Sequence, residues 1–227
     1  MEIHPPTKPI ESVKDFLLHL SMITIGILIA LGLEQAVEAW RHHELAVQAK
    51  ESILNEIRDN KRELDRTQVG VRQNGDKMRH TLETVRLYLA HKPPAHGEMY
   101  ILANVASLNS TSWTTATATG TLSYLGYADA QKFAGVYGVQ ALFERTQEEE
   151  MRTASAALAL AQFGPGGPGT ASDDQLRSLE RGVMNCLAGI TVWNQVAASL
   201  GRAYDRILKA ESTAAQAVQR SPSAPAK

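Results

Sequence analysis

Residues 16–33, FLLHLSMITIGILIALGL, make an apolar run of eighteen residues with no Asp, Glu, Lys, Arg or Pro and one histidine, His19. At about 1.5 Å per residue a helix of that length reaches roughly 27 Å, close to the ~30 Å hydrocarbon core of a bilayer. Hydrocarbon offers no water to satisfy free backbone amides, so a segment crossing it alone has to be helical. The run reads as a transmembrane anchor, and the lipid bilayer is the first partner it implies. The rival reading is a cleaved signal peptide with Ala30-Leu31-Gly32 as a small-x-small site. Against it stand Glu2, Glu11 and Asp15 ahead of the run, and an apolar core longer than the roughly 7–15 residues of a signal peptide.

About 190 residues follow the run, enough for one domain with a core of its own. Charge is balanced, 23 Lys and Arg against 24 Asp and Glu, so no whole-protein field draws in nucleic acid, and none is expected as a partner. The single cysteine, Cys186, excludes an internal disulfide and a multi-cysteine metal site. Alanine is abundant and aromatics make up only 6% of the chain, a balance that favours helix over sheet. The expected fold class is all-α: a single N-terminal transmembrane helix, then a long helix and an antiparallel helical bundle.

The expected organisation is a disordered tail at 1–11, an anchor at 12–33, a helical stem at 34–53, a helical bundle domain at 54–210 and a second disordered tail at 211–227. Pro5, Pro6 and Pro9 keep the first tail from regular helix. Ser12 and Asp15 have the spacing of a capping box, which would start the anchor. Gly26 and Ala30 lie four apart on one face, the small-xxx-small pattern that lets two membrane helices approach closely and would serve a homodimer. The plainer alternative is a face that meets only lipid. His19, one turn inside the boundary, fits the headgroup region; Trp40 and Arg41 fit the far interface or the stem.

The heptapeptide Ile25-Gly26-Ile27-Leu28-Ile29-Ala30-Leu31, followed by the amphipathic stretch from Glu34 to Trp40, resembles a group of bacterial single-pass membrane proteins of unknown function that begin with an IGILIAL-type anchor and continue into a helical domain. The likeness covers the first 55 residues or so and, more loosely, residues 113–120. It implies a bacterial membrane location and helical architecture, and supplies no catalytic residue.

From Glu34 to about His91 only Gly70 and the Asn74-Gly75 pair interrupt helix-forming sequence. With Trp40 at position a, ten of the fifteen a and d positions through Leu89 are apolar. Lys50, Lys61, Gln68 and Gly75 spoil the seam for a parallel coiled coil, which points to packing against the chain's own later helices from Leu54 onward. That first helix, about 58 residues, would run ~87 Å, against ~54 and ~58 Å for the two later ones, so about 20 residues are left over as the stem.

Prolines 93 and 94 end the helix. Residues 99–108 are apolar enough for a short helix. Residues 110–121, STSWTTATATGT, hold six threonines and two serines around Trp113, and read as a short Ser-capped helix packed by that tryptophan. Six of the thirteen aromatics fall between Trp113 and Phe143. Trp113, Tyr124, Tyr127 and Tyr137 beside the hydroxyls are the candidate walls of a small-ligand pocket; the same residues would also make an ordinary core. Residues 128–163 read as helix, with Glu148, Glu149 and Glu150 as a solvated face. The GPGGPG run at 164–169 is a loop, lacking the Gly-Lys-Ser/Thr ending of a phosphate loop. Ser172 and Gln175 form another capping box, after which apolar residues from Leu176 to Ile207 alternate spacings of three and four. Cys186 falls on that stripe and reads as an inert core thiol.

No HExxH, GxSxG, GxGxxG or Cys/His metal spacing occurs. The sequence therefore names no catalytic, cofactor-binding or metal residue, and the expectation is a protein that is not an enzyme. Two readings stand. One is a membrane-anchored structural or interaction module of the bacterial envelope, partnered by itself or by another envelope protein. The other is an extracytoplasmic small-ligand sensor with its pocket near residues 113–143. The expected location is the inner (cytoplasmic) membrane, single-pass, with the large domain periplasmic: Lys8, Lys14 and the amino terminus barely outweigh Arg41 and Lys50, and the resemblance decides the side.

Overall fold

A computed structural model describes residues 13–94 and 96–220 of the chain. Among them there are four α-helices and no strand: α1 (Val13–Leu89), α2 (Thr111–Ala118), α3 (Tyr127–Leu160) and α4 (Asp173–Arg220). The tail at 1–11, Ser12, the Asp15 side chain and residues 221–227 lie outside the described residues, and the first capping box with them. The chain divides after Gln48 into two compact units, a division that falls within the segment expected to be a stem.

In the first unit α1 is long and apolar enough to cross a membrane, and none of its apolar window is buried. Its two hydroxyls turn back on the helix itself: Ser21 Oγ donates to the Leu18 carbonyl at 2.9 Å and Thr24 Oγ1 to the Leu20 carbonyl at 2.8 Å. Each hydroxyl proton thus has an acceptor without any contribution from solvent.

In the second unit α1, α3 and α4 share one core. The heptad read from the sequence holds: Leu54, Ile57, Leu64, Val71, Met78 and Val85 are all buried. The two lysines in its seam meet the chain's own carboxylates. Lys50 Nζ lies 3.0 Å from both Asp129 of α3 and Glu211 of α4, and Lys61 lies 2.5 Å from Asp65 and 3.7 Å from Asp205 of α4. Gly75 is buried as well. At its C-terminus α1 closes with the Lys92 amide donating to the Leu87 carbonyl and the His91 amide to that of Tyr88, both at 2.9 Å. That pair of bonds is a Schellman motif, and its left-handed residue is His91, at φ 56°.

α3 and α4 run antiparallel, as successive contacts show. A Cβ on Gly182 would stand 3.2 Å from that of Ala157, Phe143 meets Trp193 edge to face at 5.1 Å, and Tyr204 donates to Gln140 at 2.8 Å. The α4 stripe is buried from Leu176 to Ile207, except that Ile190 is only partly so. Its N-terminal capping box forms: the Ser172 amide donates to Gln175 Oε1 at 2.9 Å and the Gln175 amide to Ser172 Oγ at 3.3 Å. A tail was expected from residue 211, but α4 continues to Arg220. The reason is propensity: residues 211–220, ESTAAQAVQR, contain three alanines, two glutamines, a glutamate and an arginine, and neither Gly nor Pro.

Residues 97–109, part of which was expected as a helix, form an irregular strap instead. Three distant side chains take both the donor and the acceptor of one strap residue each, so at those three residues no helical bond is needed. Thr81 Oγ1 accepts from the Tyr100 amide at 2.7 Å and donates to its carbonyl at 3.0 Å. Gln147 does the same for Ala106, at 2.7 and 3.1 Å, and Asn60 for Asn109, at 2.8 and 2.7 Å.

Candidate functional site

The hydroxyl-rich segment and the aromatics do meet, through a carboxylate on α1. Glu56 is buried, and its Oε2 accepts from the Ser112 amide at 2.8 Å. Its Oε1 accepts from the Trp113 amide at 3.5 Å and from the Tyr137 hydroxyl at 2.5 Å. Ser112 and Trp113 belong to the first turn of α2, whose amides have no partner within the helix. The expected cap, Ser110, makes no side-chain cap bond. Glu56 replaces it because its carboxylate takes two amides at once and places negative charge at the helix start.

Beside this contact Asn60 Nδ2 donates to Gln140 Oε1 at 3.2 Å, the same oxygen that accepts from Tyr204. Gln140 Nε2 donates to the Asn109 carbonyl at 3.1 Å and to Glu144 at 3.0 Å. Burial, followed by the bond to Glu56, pushes the Tyr137 hydroxyl well above its ordinary range, and burial does the same to Tyr204. Both phenols remain donors at any physiological pH. The network is thus closed on itself, tying the strap and α2 to the helices.

Over the network lies an open cleft of about 330 Å³ between α2 and α3, lined by Trp113 and Tyr137 with Ser110, Thr114, Gly138 and Glu144. Trp113 and Tyr137 stack on each other, centroids 5.1 Å apart and planes 11° from parallel. Of the four residues named as pocket walls, the structure brings these two together. Tyr124 and Tyr127 do not line the cleft; Tyr127 is 82% exposed at the first residue of α3. Phe133 and Phe143 are core residues. Gly26 and Ala30 are exposed in the first unit, with nothing within 4 Å of a Cβ placed on Gly26.

Glu150 is a correction. It was grouped with Glu148 and Glu149 as a solvated face, and those two do pair with Arg152. Glu150 itself is buried between α3 and α4. The signal lay in the register: Phe133, Val136, Gln140, Phe143, Gln147, Glu150, Ala154 and Ala157 lie on the buried line of α3, and spacings of three and four run straight through the acidic triplet. Cys186 is fully buried, as its stripe position suggests. Among the described residues no three His, Cys, Asp or Glu side chains gather where they would hold a metal ion.

No model of a protein family matches the chain, and no curated protein or solved structure is similar to it.

Proposed function

We propose that the chain is a single-pass inner-membrane protein of a bacterial envelope, held by residues 16–33, whose helical domain serves as a structural or interaction module rather than an enzyme. The observation that carries this reading is the uncharged apolar run, eighteen residues long and wholly exposed in the folded chain. A soluble protein leaves no such length of apolar helix bare. The domain, residues 54–210, is read as a bundle of α1, α3 and α4 in which only α4 is antiparallel to the others. Lys50, Glu56 and Asn60 of α1 meet Asp129, Tyr137 and Gln140 of α3 in the same order, so these two helices run parallel instead of reversing as expected, the strap carrying the chain back between them. The resemblance of the heptapeptide at 25–31 supports the envelope and the periplasmic side.

Self-association in the membrane belongs to the same reading. Gly26 and Ala30 share an exposed face, and Val37, Trp40, Leu45 and Val47 are exposed on the same helix beyond it. An isolated helix with so few apolar contacts is marginal unless something packs on it. Single cysteines at Val37 or Val47 in a Cys186→Ala chain are expected to cross-link between copies in membranes; absence of both cross-links in an inserted protein removes the homodimer.

The ligand-sensor reading has the stacked Trp113 and Tyr137 and their cleft in its favour. Weighing against it, the aromatic faces are spent on each other and the Tyr137 hydroxyl on Glu56. The deciding experiment is fractionation with alkaline extraction, combined with reporter fusions at the C-terminus. Resistance to extraction and a reporter active only outside the cytoplasm are expected. Release by alkali overturns the anchor, and a reporter active only inside overturns the orientation.

A further inference from the structure

The buried Glu150 has no part in the reading above. It is 6% exposed on the buried line of α3. Neither carboxyl oxygen has a hydrogen-bond partner among the described residues, and the same holds for Trp193 Nε1 on α4. The carboxyl lies on the α4 backbone at Gly189, where a Cβ would stand only 1.8 Å from Oε2. Any side chain at 189 would displace it. Trp193 lies one turn beyond Gly189 on α4, its ring edge to face with Phe143 at 5.1 Å. Neighbouring turns of one seam therefore hold two oxygens and one N–H, all desolvated and none bonded.

A neutral carboxyl tolerates such a place far better than an ionised one, whose charge has neither water nor a donor. The surroundings offer no compensation. From α4 the titratable group that faces it is the Cys186 thiol, pushed up to about 11 by burial and then by Glu150 itself. On α3 the neighbouring seam residue, Gln147, is neutral and engaged with Ala106. The adjoining core takes Met78 and Val85 from α1 and Met99 and Ile101 from the strap, all apolar. Burial is the one cause acting on the Glu150 carboxyl, and it raises it to about 7.

We propose that Glu150 is a proton-operated latch in the α3–α4 seam: neutral, it stays seated on Gly189 and the helices close; ionised, it leaves for water and the seam opens locally. The folded chain holds this proton more tightly than the unfolded one. Stability is therefore greatest on the acid side, falls as pH rises from the ordinary carboxyl range through about 7, and levels off above that. Each unit between folded and unfolded values is a tenfold factor, so the folded-to-unfolded ratio should drop on the order of a hundredfold between about pH 5 and pH 8.

The test is denaturant unfolding of the full chain in detergent micelles across that range, for the parent, Glu150→Gln and Glu150→Met. Both substitutions remove the charge, and Met also removes the unbonded polar atoms, so at least one is expected to fold. The parent should lose about a hundredfold with rising pH and the neutral variants far less. In parallel, the infrared carbonyl band of a protonated carboxylic acid should persist in the parent near pH 6, fade through about pH 7, and be missing from the variants. A neutral variant that keeps the parent's pH slope, or a parent with no such band, overturns the latch.

Discussion

Glu56 is where one side chain decides the most structure. It caps α2 from 56 residues away and accepts the Tyr137 hydroxyl. Removing it in Glu56→Ala leaves two helix-start amides and a buried phenol without an acceptor, which should cost about 3 kcal/mol by denaturant unfolding. Glu56→Gln keeps one acceptor oxygen and should cost roughly 1 kcal/mol; equal losses for the two would mean the carboxylate is not the cap. His91 is the opposite case. A non-glycine residue in the left-handed region carries a penalty that His91→Gly removes, so that variant should gain about 1 kcal/mol, read as a higher denaturation midpoint with unchanged slope. Neither role shows in a local reading of the chain. Glu56 sits one residue beside the apolar seam, and its partners lie beyond two prolines. Glu150 was hidden differently, because three successive glutamates look like a solvated face unless the register of α3 is carried through them.

At the scale of elements, what was legible is what repeats locally. α1 and α4 announce themselves by apolar residues three and four apart, and from Leu54 onward most of those residues are buried. Even the lysines that spoil a coiled-coil seam at 50 and 61 pointed to intrachain packing, since each finds a carboxylate on α4. The strap at 97–109 has no such period. The backbone groups of Tyr100, Ala106 and Asn109 are taken by Thr81, Gln147 and Asn60, from 19 to 49 residues away in sequence, so nothing within the segment distinguishes it from a short apolar helix. This dependence is testable. Gln147→Ala should leave both backbone groups of Ala106 unpaired, lowering stability by about 2 kcal/mol and removing amide exchange protection around 106 while α3 stays protected. Loss of protection throughout α3 would show that Gln147 supports the helix itself rather than the strap.

For the whole molecule the separation between the stretch apolar and long enough to cross a membrane and the folded part can be put to one experiment. The buried hydrophobic residues begin with Ala46 and continue from Ile53; the others all lie after the division at Gln48. The ion pairs Lys50 makes with Asp129 and Glu211 lie within the second unit, and nothing in its core is drawn from the apolar run. A chain beginning at Ala49 therefore retains its core and its polar network, and exposes no length of bare apolar helix. It should be soluble without detergent, helical by circular dichroism, and unfold within a few degrees of the full chain measured in micelles, since a shift of about 1 kcal/mol moves a midpoint only about 2–4 °C in a domain of this size. Deleting only 16–33 from the full chain should likewise abolish membrane association and leave that transition in place. If the chain from Ala49 instead aggregates or loses its cooperative transition, the residues before 49 are part of what folds the domain, and the anchor is not a separable device.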